Sequence, residues 1–173
     1  MESAALPASA SRQWYAQGAA IPTTSPEVYL TGIAALNIPA PEGSGGDWHR
    51  TAVFGNPKFR LPVAGDVLEA IVNTNPILGA YGIHECSASL RIFGIPIPAG
   101  QQVYCANHIR AIVDLVIHAA ETRQPTNLLQ AGDYLDTDEQ FKLLREAVTM
   151  ALERLDGRRA KYMAEWFAQQ ALS

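Results

Sequence analysis

Apolar residues recur at helical spacing through the second half of the chain. Between Tyr104 and Glu121, the residues Ala106, Ile109, Ile112, Val113, Val116, Ile117 and Ala120 fall on one stripe and predict a long amphipathic helix. Asn107, Arg110, Asp114, His118 and Glu121 fall opposite. Spacing by four allows Arg110 to pair with Asp114, and Asp114 with His118. Pro125 bounds this helix. A second helix is expected over 137–155, opened by Thr137 with Gln140 three residues later, a capping-box pattern. Its apolar face is Phe141, Leu144, Val148, Ala151, Leu152 and Leu155. Gly157 is expected to close it in a left-handed conformation. A third helix over 158–171 carries Tyr162, Met163, Trp166 and Phe167, and completes a helical hairpin.

The first half reads differently. Val28–Thr31 starts a strand running toward Ile38, and Trp48–Phe54 is expected as another. Leu61–Asn75 is ambiguous, with Asp66 placed to cap a short helix. Ile83–Phe93 alternates imperfectly and reads as a strand. The prolines of Gly94–Gly100 exclude regular structure there. Glu42–Gly46 is a flexible, glycine-rich loop. Residues 1–26 lack a sustained period and are expected as a flexible N-terminal arm, with Trp14 and Tyr15 able to pin it to a surface. Residues 27–173 then form a single globular domain. The expected class is α+β: a small N-terminal sheet packed against C-terminal helices, ending in the hairpin.

Composition narrows the functions. In 173 residues, 48% are hydrophobic and only 17% charged, which favours extensive burial in a core or against a partner. The net charge of −4, with no basic stripe, argues against nucleic acid as the primary partner. No apolar stretch reaches membrane-spanning length, and the N-terminus lacks a signal-peptide pattern. Two cysteines do not make a disulfide scaffold. The expectation is a cytoplasmic protein with no membrane partner.

The candidate chemistry lies in three short stretches: Asp47-Trp48-His49, His84-Glu85-Cys86 and Cys105–Arg110. His108 points to the packed side of its helix and needs a partner, with His49, Glu85 or a backbone carbonyl as candidates. His49, His84, Glu85 and His108 could serve as acid and base in metal-independent hydrolysis, with Arg110 holding an anion. His84 and Cys86 would share a strand face, and Cys105 and His108 a helix face. Together they make a Cys2His2 zinc set, conditional on zinc being present. Against this, buried cysteines are common, and glycine-rich loops are mostly just loops. No phosphate-binding loop, dinucleotide fingerprint or H-E-x-x-H motif occurs.

The phrases Leu30–Pro39, Gly46–His49 and Ala106–Ala111, with Asp114-Leu115, resemble a set of small bacterial proteins of toxin–antitoxin and phage-defence loci. The similarity covers 30–49 and 106–115, and includes His49 and His108 but neither cysteine. It implies an accessory protein that binds a protein partner such as a cognate toxin, and it carries over no catalytic residue. Asp47, Trp48, Asn107 and Arg110 are then the binding candidates. An acidic protein with aromatic residues near its N-terminus suits the masking of a basic toxin. The hydrolase or nuclease and the zinc-stabilised module stand as alternatives, and a homo-oligomer is left open.

Overall fold

The computed structural model describes residues 18–43, 45 and 49–170; Trp14, Tyr15, Asp47 and Trp48 lie outside these. The fold is α+β, as the sequence indicates. The described elements are β1 (Tyr29–Leu30), α1 (Gly32–Leu36), α2 (Arg50–Phe54), β2 (Val63–Ala64), α3 (Asn75–Leu78), β3 (Ile83–Glu85), α4 (Ser87–Ile92), β4 (Tyr104–Ala106), α5 (His108–Glu121), α6 (Asp138–Leu152) and α7 (Gly157–Gln170). A short 3-10 turn at Ala131–Asp133 precedes α6.

The sheet order is β2-β1-β4-β3. β1 is antiparallel to β2 and parallel to β4, while β3 and β4 are antiparallel. Strand side chains alternate between two buried faces. Tyr29, Ala64 and Ala106 join the core formed with α5, α6 and α7. Leu30, Val63 and Cys105 join a second core with Phe54, Leu90 and Val103. The hairpin of α6 and α7 closes the first core through Leu144, Val148, Met163 and Trp166, whose indole N–H donates to the Leu129 carbonyl at 2.9 Å.

Several sequence expectations give way to local chemistry. The strand expected from Val28 toward Ile38 stops at Leu30. Gly32 adopts φ +54, and α1 begins there. The strand expected over Trp48–Phe54 is instead helix α2. The Val53 N–H donates to the His49 carbonyl and the Gly55 N–H to the Thr51 carbonyl, each at 2.9 Å, the four-residue spacing of a helix. Asp66 caps no helix, because the chain forms β2 and then a turn. Gly65 sits so close to the preceding chain that a Cβ would stand 2.2 Å from the Glu27 carbonyl. The strand expected over Ile83–Phe93 ends at Glu85, whose carboxylate takes the Ser87 N–H and starts α4. Tyr104–Ala106 is strand β4, and Asn107 caps α5 by accepting the Arg110 N–H at 2.8 Å. The capping box at Thr137 and Gln140 forms as expected. Gly157 is not a left-handed cap but the first residue of α7.

The largest correction concerns α5. The first half of its supposed polar face is interior, since no residue from His108 to Asp114 is more than 1% exposed, while Asn107 and His118 are half-buried and Glu121 is exposed. α1 and the hairpin helices pack on it, and the chain at 74–81 covers the remaining side. His118 does not meet Asp114; its Nδ1 lies 2.9 Å from the Ile71 carbonyl oxygen.

Candidate functional site

The geometry begins with the β3–β4 ladder, which sets His84 directly opposite Cys105. The His84 Nε2 and Cys105 Sγ are 3.5 Å apart. Cys86 follows on the same side, and its thiol interacts with that of Cys105. Both cysteines are free and buried. The Cys86 contact and burial push the Cys105 thiol well above its ordinary value. The sulfur therefore stays protonated at neutral pH, which disfavours it as a nucleophile.

His84 is half-buried on the edge strand. Burial lowers its pKa below the ordinary 6.5; Glu42 opposes the shift and His108 adds to it. The ring is neutral at pH 7, and its buried Nδ1 has no hydrogen-bond partner among the described residues.

His108 occupies the first position of α5 and is 1% exposed. Its Nε2 lies 2.8 Å from the Ile38 carbonyl oxygen. A carbonyl only accepts, so Nε2 carries the proton. The backbone carbonyl is thus the partner that the sequence required, and neither His49 nor Glu85 fills that role. Burial lowers the His108 pKa, opposed by the Ile38 carbonyl and then by Glu42. The backbone N–H of His108 donates to Glu42 Oε1 at 3.0 Å. A carboxylate at the N-terminus of a long helix is favourably placed against the helix dipole. Sequence reasoning passed over Glu42; the only signal was an acid opening a glycine-rich loop.

The other candidates disperse. Glu85 Oε1 accepts from the Ser87 N–H and, through a short contact, from the Ser87 hydroxyl. That hydroxyl contact is the main cause of its lowered pKa. The same hydroxyl accepts the Val103 N–H, so Glu85 fastens α4 to the strand leading into β4. His49 is exposed at the cap of α2, and its backbone N–H donates to Asn37 Oδ1 at 2.8 Å.

Arg110 is fully buried and bonded within the protein. Its guanidinium donates to the carbonyls of Gly79 and Tyr81, to Thr74 Oγ1, to Asn75 Oδ1 and to Asp114. It also lies 5.2 Å from the Tyr29 ring centre. Asp114 in turn accepts from Tyr29, Thr31 and Thr74. Burial, followed by the charge of Asp114, pushes the Tyr29 hydroxyl pKa strongly upward. This network joins β1, the segment before α3 and α5 into one unit.

The structure thus draws His84, Cys86 and Cys105 together, with Glu42 and His108 acting on His84 electrostatically. The proposed pairing of Cys105 with His108 on one helix face fails, because Cys105 belongs to β4. Among the described residues, no group of three or more His, Cys, Asp or Glu is arranged to hold a metal ion. No described helix is long and apolar enough to cross a membrane. Comparison with protein-family models, curated proteins and solved structures gave no match.

Proposed function

We propose that this chain is an antitoxin-like or defence-associated cytoplasmic protein that acts by protein–protein contact. The contact segment is 128–139, and the partner is a basic protein such as a cognate toxin. The observation that carries this reading is an exposed apolar side chain in a stretch of exposed acids. Leu128 is 66% exposed, and Asp133, Asp136, Asp138 and Glu139 are all exposed in the same stretch of chain. Among them the one ion pair found is Glu139 with Lys142, at 3.9 Å between exposed groups. Such a pair contributes little. Asp138 and Glu139 also complement the N-terminus of α6. Asp133 and Asp136 lie outside that helix. Acids beside an exposed leucine suit a basic surface carrying an apolar patch. The interior supports the same reading: His108, Cys105, Arg110 and Asp114 are sealed from any substrate.

The test is co-expression with the products of flanking genes. One should be toxic alone and neutralised by this chain. Alanine at His49 or His84 should preserve neutralisation, while L128S/D133K/D136K should abolish it with the fold intact by circular dichroism. The reading fails if no flanking product is toxic, or if H84A loses protection while still binding.

One observation favours a hydrolase or nuclease as the second reading. His84 is neutral at pH 7 and has an unbonded Nδ1. That is the form a general base needs. Turnover of a model phosphodiester that disappears in H84A would support it.

A further inference from the structure

A groove of about 660 Å³ runs beside β2. Pro57, Phe59, Leu61, Val63, Val67 and Ile71 supply its apolar walls, with Lys58 and Arg60 on its lining. At its edge the chain turns through Asp66–Glu69, with Val67 and Glu69 on the lining. Leu68 stands at the tip of that turn, 98% exposed, and Val67 is 39% exposed. Free leucine side chains on surfaces are ordinary. A fully exposed leucine on a braced turn, beside an apolar groove that no described residue fills, is a more specific arrangement.

The turn is held rigidly. The Gly65 N–H donates to the Val72 carbonyl at 3.0 Å, the Ile71 N–H to the Val63 carbonyl at 2.9 Å, and the Ala70 N–H to the Val67 carbonyl at 3.1 Å. Gly65 itself has φ +132, and its close approach to Glu27 leaves no room for a side chain. Leu68 is therefore presented by a closed loop, so little ordering entropy is lost when it is covered.

The charges have the matching arrangement. Lys58 and Arg60 are exposed cations at the groove, while Asp66 and Glu69 are exposed anions flanking Leu68. None of the four takes part in the ion pairs of the described residues. Asp66 and Glu69 make the turn acidic, Lys58 and Arg60 leave the groove net basic although Glu69 also lines it, and knob and hole belong to one patch. A two-fold contact needs this self-complementarity, with each copy giving its knob and receiving its partner's.

We propose that the groove is filled by the Leu68 turn of a second copy of this chain, forming a symmetric homodimer. Leu68 enters between Phe59 and Ile71 of the other copy. Asp66 and Glu69 face the other copy's Lys58 and Arg60. The surface is separate from segment 128–139, so it stands or falls independently of the toxin-binding reading.

Sedimentation across low to high micromolar concentration tests it. The wild type should dimerise, more weakly as salt rises. L68E should weaken association by about tenfold or more, as expected for loss of a central apolar anchor. Because Leu68 touches little within its own copy, circular dichroism should show an unchanged fold. Two charge-reversal variants give the sharper result. K58E/R60E and D66K/E69K should each be monomeric alone. Mixed in equal amounts they should dimerise, since the reversed knob meets the reversed hole while the native knob meets the native hole. A wild type that stays monomeric overturns the proposal. So does a dimer indifferent to L68E, or a mixture that fails to restore association.

Discussion

Asp114→Ala should be among the most damaging single substitutions in the molecule. The carboxylate is fully buried and accepts from Tyr29, Thr31, Thr74 and Arg110. Its removal leaves the Arg110 guanidinium, also at 0% exposure, as a buried charge without its counter-ion. Breaking a buried pair from one side costs about 3–5 kcal/mol. A domain of this size has about 5–15 kcal/mol in total. At about 2–4 °C per kcal/mol, a loss near the middle of that range lowers Tm by about 8–16 °C. Arg110 still has the carbonyls of Gly79 and Tyr81, which solvate it in part and favour the lower half of that range. The measurement is urea unfolding of wild type, D114A, R110M and the double variant R110M/D114L. The double variant should be more stable than D114A, because it removes both charges and fills their volume with apolar groups. A D114A cost below about 1 kcal/mol would refute the reasoning, as would a double variant whose cost equals the sum of the two singles.

Stability should fall with acid through the histidines. His84 and His108 are both held below 6.5 in the folded state, so between their folded values and 6.5 the unfolded chain binds more protons. Their contribution is complete above about pH 6.5 and is lost as the pH drops below it. The urea midpoint should decline from about pH 7 to about pH 5, less steeply in H84Q; a flat profile refutes this. Gly82→Ala tests the junction between β3 and α5. Gly82 has φ +73, and a Cβ there would stand 2.7 Å from both Arg110 Cβ and Asn107 Oδ1. The expected cost is about 2 kcal/mol or more from strain and a displaced helix cap, read as a lower Tm; an unchanged Tm argues against that close approach.

The helical half was legible because its signals are local. The capping box of Thr137 and Gln140, and the apolar stripes of α6 and α7, are readable without knowing what packs on them. The sheet was not, because its strands are two or three residues long and their identity depends on neighbours far along the chain. Cys105 illustrates the consequence. Read as helical it pairs with His108, but as a strand residue it faces His84. The polarity of Arg110 and Asp114 placed them toward water by periodicity, and only the complete set of donors and acceptors around them shows why they are inside. Glu42 escaped notice because its role is to meet an N–H 66 positions away in sequence.

The Arg110 and Asp114 network also constrains how the chain can be made. Its partners come from positions 29, 31, 74, 75, 79 and 81, all synthesised before α5. β1 has a parallel neighbour in β4, which likewise emerges late. An N-terminal fragment ending before residue 104 would leave Tyr29, Thr31 and Thr74 without the carboxylate they bond, and the sheet without β4 between β1 and β3. During translation these residues have no native fold to adopt until α5 has left the ribosome. Until then the chain is a natural client for whatever shields nascent apolar segments.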